Sequence, residues 1–181
     1  MANATRQDNE TTPRRPRRRA LLGAALAGLL AGCGTVAGLK SMVGLGPKAV
    51  TPDWNSLSLR ADDDANGNSA LAVDIVMVKD QALLDALMMM PASKWFASRA
   101  DLQRSYPEAL AVLSFEIVPG QTIRIDAKRW REHAAWAALA YAGYGAAGEH
   151  RARLLLNSPG YTIQLGALGM TASDLKPGQA R

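Results

Sequence analysis

The chain is poor in the residues that carry most catalysis and cross-linking. It has one cysteine, at position 33, and two histidines, His133 and His150, in 181 residues. A lone cysteine has no partner for an internal disulfide. Neither histidine falls in a two-histidine metal spacing such as His-Glu-x-x-His, and there is no Gly-x-Ser-x-Gly nucleophile elbow. With no nucleophile–base pair to name, the sequence predicts a protein that is not an enzyme and takes no cofactor. Long apolar runs are missing too. The run at 20–31 is 12 residues, and at about 1.5 Å rise per residue it cannot cross a hydrocarbon core of roughly 30 Å. The positive charge is mostly local. The formal net charge is +5, from 21 basic and 16 acidic side chains, but residues 1–32 hold six of the basic ones and two of the acidic. Residues 33–181 keep 15 and 14, a net of +1. No basic patch survives there to neutralise phosphates, so nucleic acid is not an expected partner.

What is present starts with that N-terminal segment. Arg14, Arg15, Arg17, Arg18 and Arg19 precede the apolar run, which ends in Leu30-Ala31-Gly32-Cys33. A positive stretch, a short apolar stretch and small residues before a cut site are the parts of a secretory signal. The competing reading, a buried helix of a soluble domain, does not account for the arginines, the run length and the cysteine together. Leu-Ala-Gly-Cys resembles the bacterial lipobox. That resemblance implies cleavage before Cys33 and a lipid on its sulfur. It also relieves the chain of an exposed reactive thiol. Each buried CH₂ contributes about 0.8 kcal/mol, and two acyl chains already make a stable anchor. Gly34, where an Asp would imply retention in the inner membrane, implies the outer membrane, periplasmic face. The expected organisation is a signal at 1–32, a lipidated cysteine and flexible tether at 33–52, a β-domain at 53–172 and a polar tail from Ser173 that frays. The tether is rich in Gly and Pro but carries Val36, Leu39, Met42, Val43 and Leu45. By random-coil scaling it reaches roughly 20–25 Å.

Within the domain the hydrophobic period decides the element types. Leu57, Leu59 and Ala61 alternate with Ser56, Ser58 and Arg60, a half-buried strand. Leu71, Val73, Ile75 and Met77 share one face of a second strand, with Asp74 the only charge on the other. The polar stretch 62–69 between them contains Asn-Gly, so the pair reads as a hairpin. The period then becomes helical. Leu83, Leu84, Leu87 and Met88 follow a cap at Asp80, and Ser93 is placed to cap a second, short helix carrying Trp95, Phe96, Ala100 and Leu102. Strands return at 110–118 and around Ile123 and Ile125, on either side of the Pro119-Gly120 turn. Residues 133–145 are Ala-rich, which favours helix by propensity, but Ala140-Tyr141-Ala142-Gly143-Tyr144 suits a strand, the reading adopted here. Strands at 152–157 and 161–165 are joined by Asn157-Ser158-Pro159-Gly160. The fold class predicted is mainly β, a two-sheet β-sandwich with a short helical insertion between early strands.

Three features in order carry a family resemblance. They are the lipobox, the Asn-Gly turn leading into Leu71-Ala72-Val73-Asp74-Ile75-Val76-Met77-Val78-Lys79-Asp80, and Ile117-Val118-Pro119-Gly120-Gln121. Over residues 54–165 the chain resembles the outer-membrane lipoprotein of the bacterial type VI secretion system, the TssJ (SciN-like) family. The resemblance implies a small sandwich that binds the periplasmic domain of an inner-membrane component, TssM, and oligomerises only within the assembled complex. It implies partner binding by the loop between the first two strands, here Asp62, Asp63, Asp64, Asn66, Gly67 and Asn68. The chain departs from the family at Ala70, where members tend to have Pro.

Other features have plainer readings. Asp62, Asp64, Asn66 and Gly67 imitate the start of a calcium loop, but the twelfth position is Val73 rather than Glu, so no metal is expected. Met88-Met89-Met90 beside Trp95 and Phe96 is read as packing of the helical insertion, against an adaptable partner surface. Arg129-Trp130-Arg131 is read as a sheet-edge feature. The alternative function is a lipoprotein of another class that binds a hydrophobic ligand or a cell-wall component. An open apolar cavity would favour it, and a filled core with projecting loops would favour docking.

Overall fold

The computed structural model describes residues 48–176. The signal, Cys33 and most of the expected tether lie outside that range. Eight strands form two four-stranded sheets among the described residues. In chain order they are β1 (Ser56–Ala61), β2 (Leu71–Val78), β3 (Leu110–Ile117), β4 (Thr122–Ile125), β5 (Ala137–Ala142), β6 (Arg151–Leu154), β7 (Gly160–Leu165) and β8 (Met170–Asp174). Helices α1 (Gln81–Met88) and α2 (Ala92–Ser105) stand between β2 and β3, and a single turn, α3 (Lys128–Arg131), between β4 and β5. The sheet orders are β4-β1-β7-β8 and β3-β2-β5-β6. The expected sandwich with an early helical insertion is therefore the fold.

The expected hairpin of β1 and β2 is not formed. β1 pairs antiparallel with β4 and parallel with β7, while β2 pairs with β3 and β5. Burial explains the separation. β1 is buried on one face only, as its period-two pattern requires, whereas β2 is buried on both. A strand buried on both faces needs cover on each side, and among the described residues only the second sheet has it. Its inner face meets the first sheet, and its outer face carries α1 and α2. β3 and β4 likewise belong to different sheets, so Pro119-Gly120 crosses between layers instead of closing a hairpin.

Two apolar clusters follow. Between the sheets lie Leu57, Leu59, Ile163 and Leu165 from one layer and Val73, Ile75, Met77 and Leu113 from the other. Under the helices lie Val76, Val78, Leu139 and Tyr141 with Leu83, Leu84, Leu87 and Trp95. The Ala-rich segment is strand β5, entirely buried. Its composition fits its neighbours: Ala142, Ala140 and Ala138 sit opposite Val73, Ile75 and Met77, so small residues face large ones across the central pair.

Several local expectations change. Asp80 does cap α1, accepting from the Leu83 amide at 2.8 Å, but α2 starts at Pro91 with no side-chain cap, so Ser93 lies inside the helix. Proline there loses no helical hydrogen bond, since the first amides of a helix are unpaired anyway. Trp130 is not at a sheet edge. It is fully buried, 5.9 Å from Trp54, and closes the base of the core with Tyr161. The predicted fraying from Ser173 is also displaced, because β8 pairs with β7 through Asp174. At the other end Val50 bridges Ala135 with bonds of 2.8 and 2.9 Å, so part of the expected tether is paired with the domain.

Candidate functional site

Strand direction sorts the loops into two groups. β1, β3, β5 and β7 all run away from the end where the chain enters at Lys48–Val50, and β2, β4, β6 and β8 run back. The connections 62–70, 118–121, 143–150 and 166–169 therefore gather at the far end. The six predicted partner-binding residues belong to the first of these loops.

Backbone geometry explains its sequence. Asn66, Gly67 and Asn68 have φ of 49°, 59° and 64°, the left-handed region that Asn and Gly tolerate best. Asn66 holds the frame. Its Nδ2 donates to the Ala70 carbonyl at 3.1 Å, and its Oδ1 accepts from the Gly145 amide at 2.9 Å. Its own amide donates to the Gly166 carbonyl at 3.2 Å. Asp62 is similarly engaged. Its amide donates to Leu165 and its carbonyl accepts from Gly120, while Gln164 Nε2 donates to its carboxylate. Asp63, Asp64, Gly67 and Asn68 are exposed. Asp63 packs beside Gly120, where φ is 75° and a Cβ would come within 3.1 Å of the Asp63 carboxylate. The structure thus separates the six residues into two that hold the loop, Asp62 and Asn66, and four that face outward.

Sequence reasoning missed the apolar part of this end. Leu168 is 75% exposed and Val118 is 50% exposed, in the neighbouring loops. A leucine between turn glycines, in Gly166-Ala167-Leu168-Gly169, was the available signal. Tyr144 was missed as well. Its hydroxyl donates to the Gly166 and Gly169 carbonyls at 3.1 and 2.6 Å, and its ring stacks on His150 at 4.5 Å. Burial, and then the negative charge of Asp62, push its pKa up to about 12. A pKa raised in the folded state means that this contribution to stability is whole below pH 10 and fades as pH climbs through 12. Tyr144→Phe is expected to cost about 1 kcal/mol at neutral pH, since both carbonyls keep a backbone donor. It should also flatten the fall of Tm between pH 10 and 12. The slope will not vanish, because burial raises the pKa of Tyr141 too. Thermal melts across that range check both points; an unchanged alkaline slope would refute the assignment.

Among the described residues no group of three His, Cys, Asp or Glu side chains is placed to hold a metal ion, and no helix is long and apolar enough to cross a membrane. Between the sheets, Trp54, Trp130, Leu57, Leu59, Ile75 and Met77 are each 0–1% exposed. Where the chain enters, the hollow lined by Val50, Trp136, Arg153 and Leu155 holds about 180 Å³ and opens to solvent.

No family model matches the chain, and no curated protein matches it. Solved structures do. The type VI secretion lipoprotein TssJ1 from Pseudomonas aeruginosa superposes with a TM-score of 0.51 at 18% identity, over 72% of this chain and 98% of that one. A chain in a structure of the type VI membrane complex superposes with a TM-score of 0.50 at 17% identity, over 71% and 99%. This chain has their fold.

Proposed function

We propose that the protein is a TssJ-like lipoprotein, anchored by lipid on Cys33 to the periplasmic face of the outer membrane. In this reading 1–32 is the signal and 33 onward the mature chain. Its loop end docks the periplasmic domain of a TssM-like inner-membrane component during assembly of a type VI secretion membrane complex. It works as a non-enzymatic anchor. The observation that carries this reading is the make-up of the loop end. Asp63 and Asp64 are exposed at the same end as the solvent-facing Leu168 and Val118, on a frame cross-linked by Asn66, Tyr144 and Asp62. Rigid loops with an apolar tip and one sign of charge suit docking onto a basic surface with an apolar recess. The shared fold supports the family assignment, and a core filled with side chains supports docking over storage of a hydrophobic ligand.

Binding of the lipidated chain in detergent to the partner's periplasmic domain tests the reading. Asp63→Lys with Asp64→Lys is expected to weaken binding about tenfold or more, mainly through a slower, salt-sensitive association. Stability should stay within about 0.5 kcal/mol, as for exposed sites in general. Leu168→Asp should weaken binding by faster dissociation. Wild-type protein that fails to bind a folded partner domain would defeat the proposal.

A further inference from the structure

The opposite end of the sandwich has its own chemistry. Val50 is 54% exposed and Leu155 is 52% exposed, and both line one hollow together with the half-buried Trp136. Arg153 is exposed and lines the same hollow, and Lys48 is exposed two residues before Val50. Arg153 makes no ion pair among the described residues, its guanidinium meeting only the Met88 sulfur at 3.9 Å. Hydrogen bonds hold the backbone here. Val50 bridges Ala135, the Trp136 amide donates to the Val78 carbonyl at 2.8 Å, and the Leu155 carbonyl accepts from Trp54 Nε1 at 2.8 Å. This pairing holds the backbone that presents these side chains.

We propose that this face rests on the phospholipid surface to which the chain is anchored. The proposal depends on the lipid anchor at Cys33. Sixteen residues separate Cys33 from Val50, a random-coil reach of roughly 20–25 Å, and the chain enters the domain at this hollow, so the anchor confines this end of the molecule near the bilayer. An indole between apolar side chains and cationic heads is the combination that settles at a headgroup boundary. Val50 and Leu155 would enter the upper acyl region while Lys48 and Arg153 meet phosphates. The contact orients the domain with the Asp63–Asp64 loop pointing into the periplasm, where a partner arrives. A lipid tether alone would leave the orientation free.

The test uses the lipidated full chain in phospholipid vesicles whose acyl chains carry bromine near the headgroup. The chain has four tryptophans, and Trp54, Trp95 and Trp130 are 0–1% exposed, so contact quenching reports Trp136. Vesicle flotation of the protein and quenched emission are expected together. Trp136→Phe should remove most of the quenching. Val50→Asp with Leu155→Asp should reduce it strongly while flotation and near-UV circular dichroism stay unchanged. Flotation without quenching overturns the proposal and spares the anchor. Failure to float removes the anchor and the proposal with it. Trp136 shielded by a concentration-dependent dimer would assign the face to a second copy and overturn contact with lipid.

Discussion

Asp74→Ala is expected to destabilise the domain by about 3 kcal/mol, a figure set by the burial of the group rather than its distance from any site. Asp74 is fully buried in the middle of β2. It accepts from Trp95 Nε1 at 2.8 Å and pairs with Arg99 at 3.0 Å, both from α2. Trp95 stacks on Tyr141 with centroids 5.0 Å apart, and the Tyr141 hydroxyl donates to the Leu87 carbonyl in α1 at 2.7 Å. Tyr141 is also the cross-strand neighbour of Asp74. One carboxylate thus sits at the centre of a polar stitch that ties both helices to the second sheet. Removing it strands the Trp95 indole N–H in an apolar layer, a cost of roughly 1–3 kcal/mol, and opens a void. The Arg99 side chain is 39% exposed, so it can turn to water and its loss adds little. Arg99→Ala should therefore cost clearly less than Asp74→Ala. Asp74→Asn, which keeps an acceptor for Trp95, should fall between. Urea denaturation gives the energies, and a fall in Tm of roughly 10 °C should accompany the alanine change. If Asp74→Ala cost no more than Arg99→Ala, the stitch would be incidental to the packing of the helices.

That residue also marks where the sequence stops being legible. A period of two shows which residues share a face, and it placed Asp74 opposite Leu71, Val73, Ile75 and Met77. It does not show whether the other face meets water or a helix. The clue lay elsewhere, in Trp95 and Arg99 one helical turn apart, both able to reach one acceptor. Local signals were read well where local physics decides, as at the Asp80 cap, the β1 alternation and the Gly120 turn. Strand partners were not, because the parallel β1–β7 pairing joins residues about a hundred positions apart, and nothing in either strand names the other. The β1–β2 hairpin was inferred from a good turn sequence, yet those Asn and Gly residues serve a left-handed loop that crosses between layers. The family resemblance, not composition, named the loop with the acidic Asp62, Asp63 and Asp64 as a candidate site. It could not find Asn66 as the residue that fixes the loop, because that role depends on Gly145 and Gly166 arriving from other strands.

Gly160→Ala is expected to be the most damaging small substitution, costing roughly 4 kcal/mol or more, in the range reserved for backbone overlap and strain. Gly160 opens β7 with φ of +146°, and a Cβ there would lie 2.0 Å from the Ser56 carbonyl oxygen. The obstacle is backbone, so no rotamer change relieves it. Ser56 and Gly160 are the first partners of the parallel β1–β7 ladder, and their surroundings are tied down. The Asn55 amide donates to the Pro159 carbonyl at 2.8 Å, and the Leu175 amide to that of Gly160 at 2.9 Å. The Ser158 hydroxyl also donates to the Gly160 carbonyl at 3.1 Å. Making room means separating β1 from β7 where Trp54 and Tyr161 pack edge to face, 6.0 Å apart, so the loss spreads into the base of the core. Gly67→Ala supplies the control. Its φ of +59° lies in the left-handed region, which a side chain tolerates at modest cost, and nothing lies within 4 Å of the added Cβ. It should cost only about 1–2 kcal/mol, the left-handed penalty alone. Comparing the two by thermal melting sets a left-handed penalty alone against backbone overlap combined with a φ that only glycine adopts readily. Hydrogen exchange should show Gly160→Ala loosening the Leu57 and Tyr161 amides first, whereas Gly67→Ala should leave them protected. Equal costs for the two substitutions would mean that the β1–β7 junction yields easily, and that this ladder does not hold the first sheet together.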